Sequence, residues 1–551
     1  MTSVSDVTSP RVIMKPYTPD PDRRSHKLLR LLVIILVSGF CLIQGLAFAL
    51  FAPYLMIPFF VPPAVLALAV VWALPETRRA PTAAMVVLTY AFFVGLVMWP
   101  NYIAFAPPGL PWITMVRITG FPLVLVLLVC VSVSADFRSK IATTLKAAPV
   151  VWQMLVAFAV IQAISIGFSK QPFQSVDKFV IAQLSWTAIF FVSAYVFAAP
   201  GRVERMAALF WGMSIFIAII AIWEWKHAGV LWAGHIPSFL KIPDPSVDRA
   251  LAFHGRGSDG IYRAMSTFST PLGLGEYVAL VLPFVLQFAF GAYRAPVRLA
   301  ALATIPLLLF TVFVSGSRLG TVGCMMSFFL YLLAWGVLRW RRDRESLMAP
   351  AVLFAFFPVA LLLTVVLTIV WPRMHVMVFG NGQAQTSTLA RQAQLRLAIP
   401  KLVKHPWGYG ESMGADTVGF YEPGGDLTLD SYYITVAIEY GVVGFVLYYG
   451  FFGYIVFFAA KTRLSTRNAE REYEFLTVLA IAVSNFFIIK MVFSQQENHP
   501  IVYMYAGMVV ALAARLKSQT AQPALATPPS GADLREAVAA RRGQDHLLPA
   551  R

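Results

Sequence analysis

The chain has 551 residues, of which 58% are hydrophobic and only 13% are charged. A soluble domain needs roughly a quarter of charged residues to solvate its surface, so this composition excludes an ordinary soluble protein. The net charge of +17 does not require a nucleic-acid partner, because positive residues in the cytoplasmic loops of a membrane protein also account for it.

Apolar runs recur along the chain from Leu29 to Ala514. A membrane-spanning helix needs roughly 20 apolar residues, and about fourteen segments approach this requirement. The predicted spans are 29–51, 55–74, 83–99, 118–134, 147–168, 179–198, 206–225, 272–291, 299–315, 320–338, 350–371, 432–458, 475–493 and 499–514. The sequence therefore predicts an all-α polytopic membrane protein that buries its spans in the lipid bilayer.

Lys and Arg residues indicate the orientation of these spans. They cluster in every second connection, for example at 78–79, 339–344 and 461–471. Positive residues favour the cytoplasmic side, so we expect both termini there. Segments 1–28 and 516–551 are polar and are expected to be a cytoplasmic N-terminal segment and a disordered cytoplasmic tail.

Two long connections fall on the opposite, non-cytoplasmic side, at 226–271 and 372–430. Loops of this length are usually functional or disordered, and their Trp, Phe, Tyr, Gly and Pro content favours ordered loops. The second contains TLARQAQLRLAIPKLVK, which is predicted to be a helix with a partial apolar stripe at the membrane surface. Both a structural cap and an active-site lid fit this loop.

Arginines near the membrane boundary are the strongest indication of a site. Arg318 lies in a tight turn between two apolar runs, Arg263 precedes another span, and Arg391 lies on the predicted loop helix with Arg396 five residues later. A charge at such a depth is costly unless it is paired or hydrated. The guanidinium fork suits phosphate, although an interfacial arginine can also reach lipid headgroups without any further role.

Acidic and histidine side chains supply acid–base candidates on the same side. Asp430 precedes a long span, where it fits either a general base or a helix N-cap. His405 and Glu411 lie in KHPWGYGESMG and are weaker candidates, as is Glu439. Glu439 and Glu276 fall inside predicted spans, where pairing with an arginine is expected.

Several classes of protein are disfavoured by what the sequence lacks. It has no GxxxxGK[ST] motif, so it carries no ATP-driven motor of that type. The histidines have no metal-ligand spacing on one helix, so no metal or cofactor is predicted. No cytoplasmic nucleotide-sugar domain is present, so a glycosyl donor would have to come from the membrane.

Four segments resemble conserved motifs of the O-antigen ligase and Wzy-type polymerase superfamily. FVSGSRLGTVG is similar to its "SRG" signature, and TSTLARQAQLRLAIPKLVKHPWGYG to its "R…hPl.G.G" segment. DSYYITVAIEYGVVGF resembles the end of the family's large periplasmic loop, and RAMSTFSTPLGLGEYVALVLP its "R..G.F..pN.la" stretch. The resemblance covers about residues 205–515, and the helices of 29–204 resemble the family only in being apolar.

The resemblance implies a metal-independent glycosyltransferase with a GT-C-like fold in the bacterial inner membrane. It would act at the periplasmic face on undecaprenyl-pyrophosphate-linked glycans. Arg318 and Arg391, with Arg263 as a weaker candidate, would bind the donor pyrophosphate, and Asp430 would act as base. Further partners could include a chain-length regulator and export machinery.

The acceptor is left open by the sequence. Ligases of this family carry His-Asn where this chain has Asp430-Ser431, and the Asp-Ser-Tyr-Tyr form resembles exopolysaccharide and capsule polymerases. We therefore expect polymerisation of repeat units into an exopolysaccharide, capsule or O-antigen. An O-antigen ligase or protein O-oligosaccharyltransferase is the first alternative, and a lipid-linked oligosaccharide flippase the second.

Overall fold

The structure is a computed structural model, and it divides into two compact units. One comprises Met1–Ala69 with Pro108–Leu110, and the other Val70–Pro107 with Pro111–Arg551. The structure describes residues 62–521 and isolated positions between 32 and 43. Within 62–521 it leaves out 78–79, 107–111, 245–246, 249–250, 253–254, 257–260, 346, 371–382, 422–426 and 467–469. The segment 1–28, most of the predicted span 29–51 and the tail beyond 521 lie outside the described residues.

Helices account for most of the described chain. In chain order they are α1 (Pro62–Trp72), α2 (Thr82–Met98), α3 (Met115–Val133), α4 (Ala135–Leu145), α5 (Pro149–Ser165), α6 (Pro172–Val196, with a π-helical turn at Gln183–Thr187), α7 (Arg202–His227), α8 (Pro271–Phe290), α9 (Ala295–Ser315), α10 (Arg318–Arg342), α11 (Met348–Val370), α12 (Gln383–Lys404), α13 (Gly414–Val418), α14 (Tyr432–Ser465), α15 (Phe475–Lys490) and α16 (His499–Ala521). The strands β1 (Gly255–Arg256) and β2 (Ile261–Tyr262) pair antiparallel, with Gly255 opposite Tyr262.

The prediction of an all-α polytopic membrane protein is confirmed. Within the described residues, ten helices are long and apolar enough to cross a membrane, and three shorter apolar helices lie at Pro62–Trp72, Thr82–Met98 and Met348–Val359. Each of them overlaps a predicted span. Helix α4 was not predicted, because it is a short polar helix and hydropathy detects only apolar runs.

Helix α8 lies at the centre of the bundle, with 94% of its apolar window buried inside the protein. It packs against α9, α10 and α15. Helices α8 and α10 approach closely at Gly275 and Gly320, where a Cβ on Gly320 would lie 2.8 Å from the Gly275 Cα. The second glycine of FVSGSRLGTVG is therefore a packing requirement that seats the start of α10 against the central helix.

Helix α14 is interrupted at Gly441, whose φ of 69° and ψ of −171° are not helical. The break leaves backbone groups without helical partners, and residues 406–410 supply them. Tyr409 N–H donates to Ile438 O at 2.9 Å, Gly410 N–H to Glu439 O at 3.0 Å, and Val442 N–H to Pro406 O at 2.9 Å. The segment HPWGYG thus docks on α14 through its backbone.

Substitution of Gly441 by alanine should destabilise the protein. Its backbone conformation is nearly exclusive to glycine, and a Cβ would lie 2.2 Å from the Pro406 carbonyl oxygen. We expect a cost of about 1–3 kcal/mol from the backbone alone, measured as a lower thermal midpoint in detergent. Gly453→Ala on the same helix is the control, because nothing beyond its chain neighbours and its own helix backbone lies within 4 Å of its Cβ position. Equal midpoints for the two variants would contradict the docking of this segment.

Candidate active site

Arg318 is the first residue of α10 and is half-buried. Gly316, in the left-handed region with φ of 59°, ends α9, and Ser317 caps α10 by accepting a hydrogen bond from Gly320 N–H at 3.1 Å. The turn and the cap together fix the direction in which α10 starts. Arg318 therefore projects from a rigid turn at one end of the bundle, which we call the site end.

Arg263 holds this same turn. Its Nε donates to the Ser315 carbonyl oxygen at 2.9 Å, and its Nη2 to the Gly316 carbonyl oxygen at 3.1 Å. The guanidinium thus binds the C-terminal carbonyls of α9, where a cation is favoured. These contacts support a positioning role for Arg263 behind Arg318, and its weaker assignment as a pyrophosphate ligand stays a prediction.

The predicted loop helix is confirmed as α12, and it brings Arg391 to Asp430. The Arg391 Nε lies 3.8 Å from the Asp430 Oδ2, and the two side chains are 33% and 32% exposed. A second contact fixes the approach, because the Asp430 N–H donates to the Gln394 Oε1 at 3.1 Å. Gln394 is fully buried one turn from Arg391. Arg396 is exposed, so only one of the two loop arginines faces the protein.

Arg318 and Arg391 lie close enough to influence each other electrostatically. Burial lowers the pKa of Arg391, Asp430 acts in the opposite direction, and the charge of Arg318 lowers the pKa further. Two guanidiniums that repel each other at a partly open surface attract an anion, since a bound anion relieves the repulsion. A pyrophosphate has the charge and the acceptor oxygens for two such forks.

Asp430 precedes the helix rather than capping it. Helix α14 begins at Tyr432, Ser431 occupies the N-cap position, and the Ser431 hydroxyl donates to the Met491 carbonyl oxygen at 2.6 Å. The N-cap interpretation of Asp430 is therefore wrong. Its carboxylate lies beside Arg391, with the Oδ2 3.8 Å from the Arg391 Nε.

Glu411 and Glu439 form a second polar group. Both are buried, and the Glu439 Oε1 accepts from the Gly414 N–H at 3.2 Å. The Tyr440 hydroxyl lies near both carboxyl groups and accepts a hydrogen bond from the Gln162 Nε2 at 3.4 Å. Glu439 has no arginine partner among the residues that the structure describes, so the expected pairing with arginine is wrong. The described contacts of the two glutamates do not include Arg318 or Asp430.

Burial and the nearby charge of Glu439 raise the pKa of Glu411 to about 8, while Tyr440 and Lys178 act in the opposite direction. His405 differs from this group in being exposed at the end of α12, where its ring contacts Tyr409 edge-on at 4.9 Å. Their roles as weaker catalytic candidates stay predictions.

Stability should depend on pH through Glu411. Because the pKa of Glu411 is raised in the folded state, burial of its protonated form stabilises the fold. This stabilisation is complete below pH 4.5 and is lost as pH rises through about 8. Glu411→Gln mimics the protonated form, so it should remove a slope of up to about 1.4 kcal/mol per pH unit. Thermal midpoints between pH 4.5 and 8 measure this. Asp416→Asn, exposed in the same loop, is the control, and an unchanged slope in Glu411→Gln would refute the assignment.

A buried ion pair between α8 and α15 was missed by the sequence analysis, which expected Glu276 to pair with an arginine. Lys490 Nζ lies 2.9 and 3.2 Å from the two Glu276 carboxylate oxygens, and both side chains are 0% exposed. Asn498 Nδ2 donates to the same carboxylate at 3.0 Å. Lys490 also hydrogen bonds with the Gln495 carbonyl oxygen. The sequence did offer one indication of this pair, because Lys490 is an ionisable residue inside the predicted span 475–493.

Removal of one partner of this pair should be costly. Lys490→Met leaves the Glu276 carboxylate buried without its cation, so we expect a loss of about 3–5 kcal/mol in the free energy of unfolding. The double variant Lys490→Met/Glu276→Leu should recover most of it, because apolar replacement of both partners removes the uncompensated charge. Thermal unfolding of both variants measures the difference, and a double variant no more stable than the single one would contradict the pairing.

Within the described residues, no group of three His, Cys, Asp or Glu side chains could hold a metal ion.

The fold and the site define a multi-pass α-helical membrane protein with an arginine–carboxylate site at one end. Residues 303–449 match a family model described as O-antigen ligase, which confirms the resemblance over that part of the chain. No curated protein matches the chain. The matched region includes Arg318, Arg391 and Asp430, and members of this family act on lipid-linked sugars.

Proposed function

We propose that the protein polymerises undecaprenyl-pyrophosphate-linked oligosaccharide repeat units at the periplasmic face of the bacterial inner membrane. The observation that carries this proposal is the meeting of Arg318, Arg391 and Asp430 at the site end of the bundle. The Arg391 Nε lies 3.8 Å from the Asp430 Oδ2, and Arg318 is near enough that its charge lowers the pKa of Arg391. The polyprenyl tail of such a donor would remain in the bilayer while its pyrophosphate meets the arginines.

The reaction follows from these positions. A hydroxyl oxygen of the acceptor repeat unit attacks the anomeric carbon of the donor, and the bond from that carbon to the pyrophosphate oxygen breaks. Asp430 accepts the hydroxyl proton. Arg318 and Arg391 stabilise the negative charge that develops on the leaving undecaprenyl pyrophosphate. Both cations are in place before the reaction, so no reorganisation is needed as charge develops.

A ligase is the second candidate, since the family model that matches residues 303–449 is described as O-antigen ligase. It would use the same donor and the same arginines with a different acceptor. The Asp430-Ser431 pair, in place of the His-Asn pair of O-antigen ligases, supports the polymerase.

Glycan analysis of a deletion strain tests the proposal. Complementation with Arg318→Ala, Arg391→Ala or Asp430→Asn should leave single lipid-linked repeat units on the periplasmic face without long polymer. We expect about 100-fold or greater loss for each, because each removes charge stabilisation or the base. Arg396→Ala is the matched control, since Arg396 is exposed on the same helix as Arg391. Membrane abundance of each variant is measured alongside.

Three other outcomes would contradict the polymerase. Long lipid-linked polymer that is not transferred to its acceptor would indicate a ligase. Repeat units that stay on the cytoplasmic face would indicate a flippase. Normal polymer in all three variants at normal abundance would exclude this site as the reaction centre.

A further inference from the structure

A cavity of about 200 Å³ lies at the other end of α10, between that helix and α8, α14 and α15. Arg339 and Arg342, in the last turn of α10, line it together with Arg463 of α14 and Glu474. Arg318 starts the same helix 21 residues before Arg339, so about 30 Å separates this cavity from the candidate active site. It is therefore a second polar site on the molecule.

Arg463 is the strongest feature of this cavity. Its side chain is only 6% exposed. Its Nη1 donates to the Thr466 carbonyl oxygen at 3.3 Å, but its Nε has no hydrogen-bond partner in the part of the chain that the structure describes. A buried guanidinium nitrogen without an acceptor is costly, so an acceptor from outside the chain would be favoured there.

The charge of the cavity is positive. Three arginines line it, and Glu474 is the one carboxylate among the lining residues. Glu474 already accepts a hydrogen bond from the Gln287 Nε2, while the Gln287 Oε1 accepts one from the Tyr331 hydroxyl at 3.0 Å. The carboxylate is thus held by an amide, and it cannot balance three guanidiniums. An anionic ligand would complete the charge balance.

The remaining lining indicates what the anion is attached to. Phe290, 56% exposed, and Trp335 also line the cavity. Arg339 and Arg342 stand in the last turn of a 25-residue span. That position corresponds to the headgroup level of a bilayer. A ligand that satisfies both the cations and the aromatic rings needs an anionic head and an apolar tail.

We propose that this cavity binds the phosphodiester headgroup of an anionic glycerophospholipid. Basic pockets between transmembrane helices are suited to such headgroups. The phosphate oxygens accept hydrogen bonds from Arg463 and Arg342, and the acyl chains lie along Phe290 and Trp335. The bound lipid holds α10, α14 and α15 together at the end of the bundle opposite the active site.

Native mass spectrometry of the full-length protein in mixed micelles tests this. Phosphatidylglycerol should bind at least about five-fold more tightly than phosphatidylcholine. Arg463→Gln and Arg342→Gln should each weaken the binding of phosphatidylglycerol by about five-fold. Arg342 is exposed, so its variant should fold even if Arg463→Gln does not. Arg344→Gln is the control, because Arg344 is exposed nearby but does not line the cavity.

Competitors distinguish the possible sources of phosphate. Glycerol phosphate at the same concentration should not displace phosphatidylglycerol, and farnesyl phosphate should bind less tightly than the phospholipid. Effective displacement by glycerol phosphate would overturn the proposal and indicate a soluble anion as the ligand. Tighter binding of farnesyl phosphate than of phosphatidylglycerol would overturn it as well and indicate a polyprenyl carrier. Unchanged phosphatidylglycerol binding in both cavity variants would exclude the site altogether.

Discussion

The docking of residues 406–410 on the broken helix α14 is the constraint on which the candidate site depends. A break at Gly441 in an apolar bundle leaves polar backbone groups that must be paired within the protein. The partners come from the segment that directly follows α12, while Asp430 stands directly before α14. The same hydrogen bonds therefore fix α12 relative to α14, and with it Arg391 relative to Asp430.

The other elements of the site are fixed by polar contacts of their own. Arg263 and the close approach of α8 to α10 hold the turn that presents Arg318. The buried pair of Lys490 and Glu276 anchors the end of α15, and the Met491 carbonyl next to it receives the Ser431 hydroxyl. The three chain segments that carry Arg318, Arg391 and Asp430 are thus each held by their own contacts, as the proposed stabilisation of a phosphate leaving group requires.

Hydropathy could predict the helices because lipid demands long apolar runs. Arg318 and Asp430 stand out because each borders such a run, whereas Arg391 was selected only by the resemblance of its loop segment to a family motif. The break at Gly441 could not be predicted, since EYGVVGF is as apolar as an intact helix and its partner segment, 406–410, lies more than 30 residues earlier. The hydrogen bond between Gln394 and Asp430 could not be predicted from the sequence either, because it depends on how α12 packs against the start of α14. The sequence predicts that Arg263 binds the pyrophosphate, and only the structure reveals its contacts with the turn between α9 and α10.

A structure of the purified protein with bound undecaprenyl pyrophosphate tests the central claim most directly. The pyrophosphate should lie between Arg318 and Arg391, with its oxygens at hydrogen-bond distance from both guanidiniums and with Asp430 beside the position of the anomeric carbon. Pyrophosphate density elsewhere, for example beside Arg463 at the opposite end of the bundle, would contradict the assignment of this site.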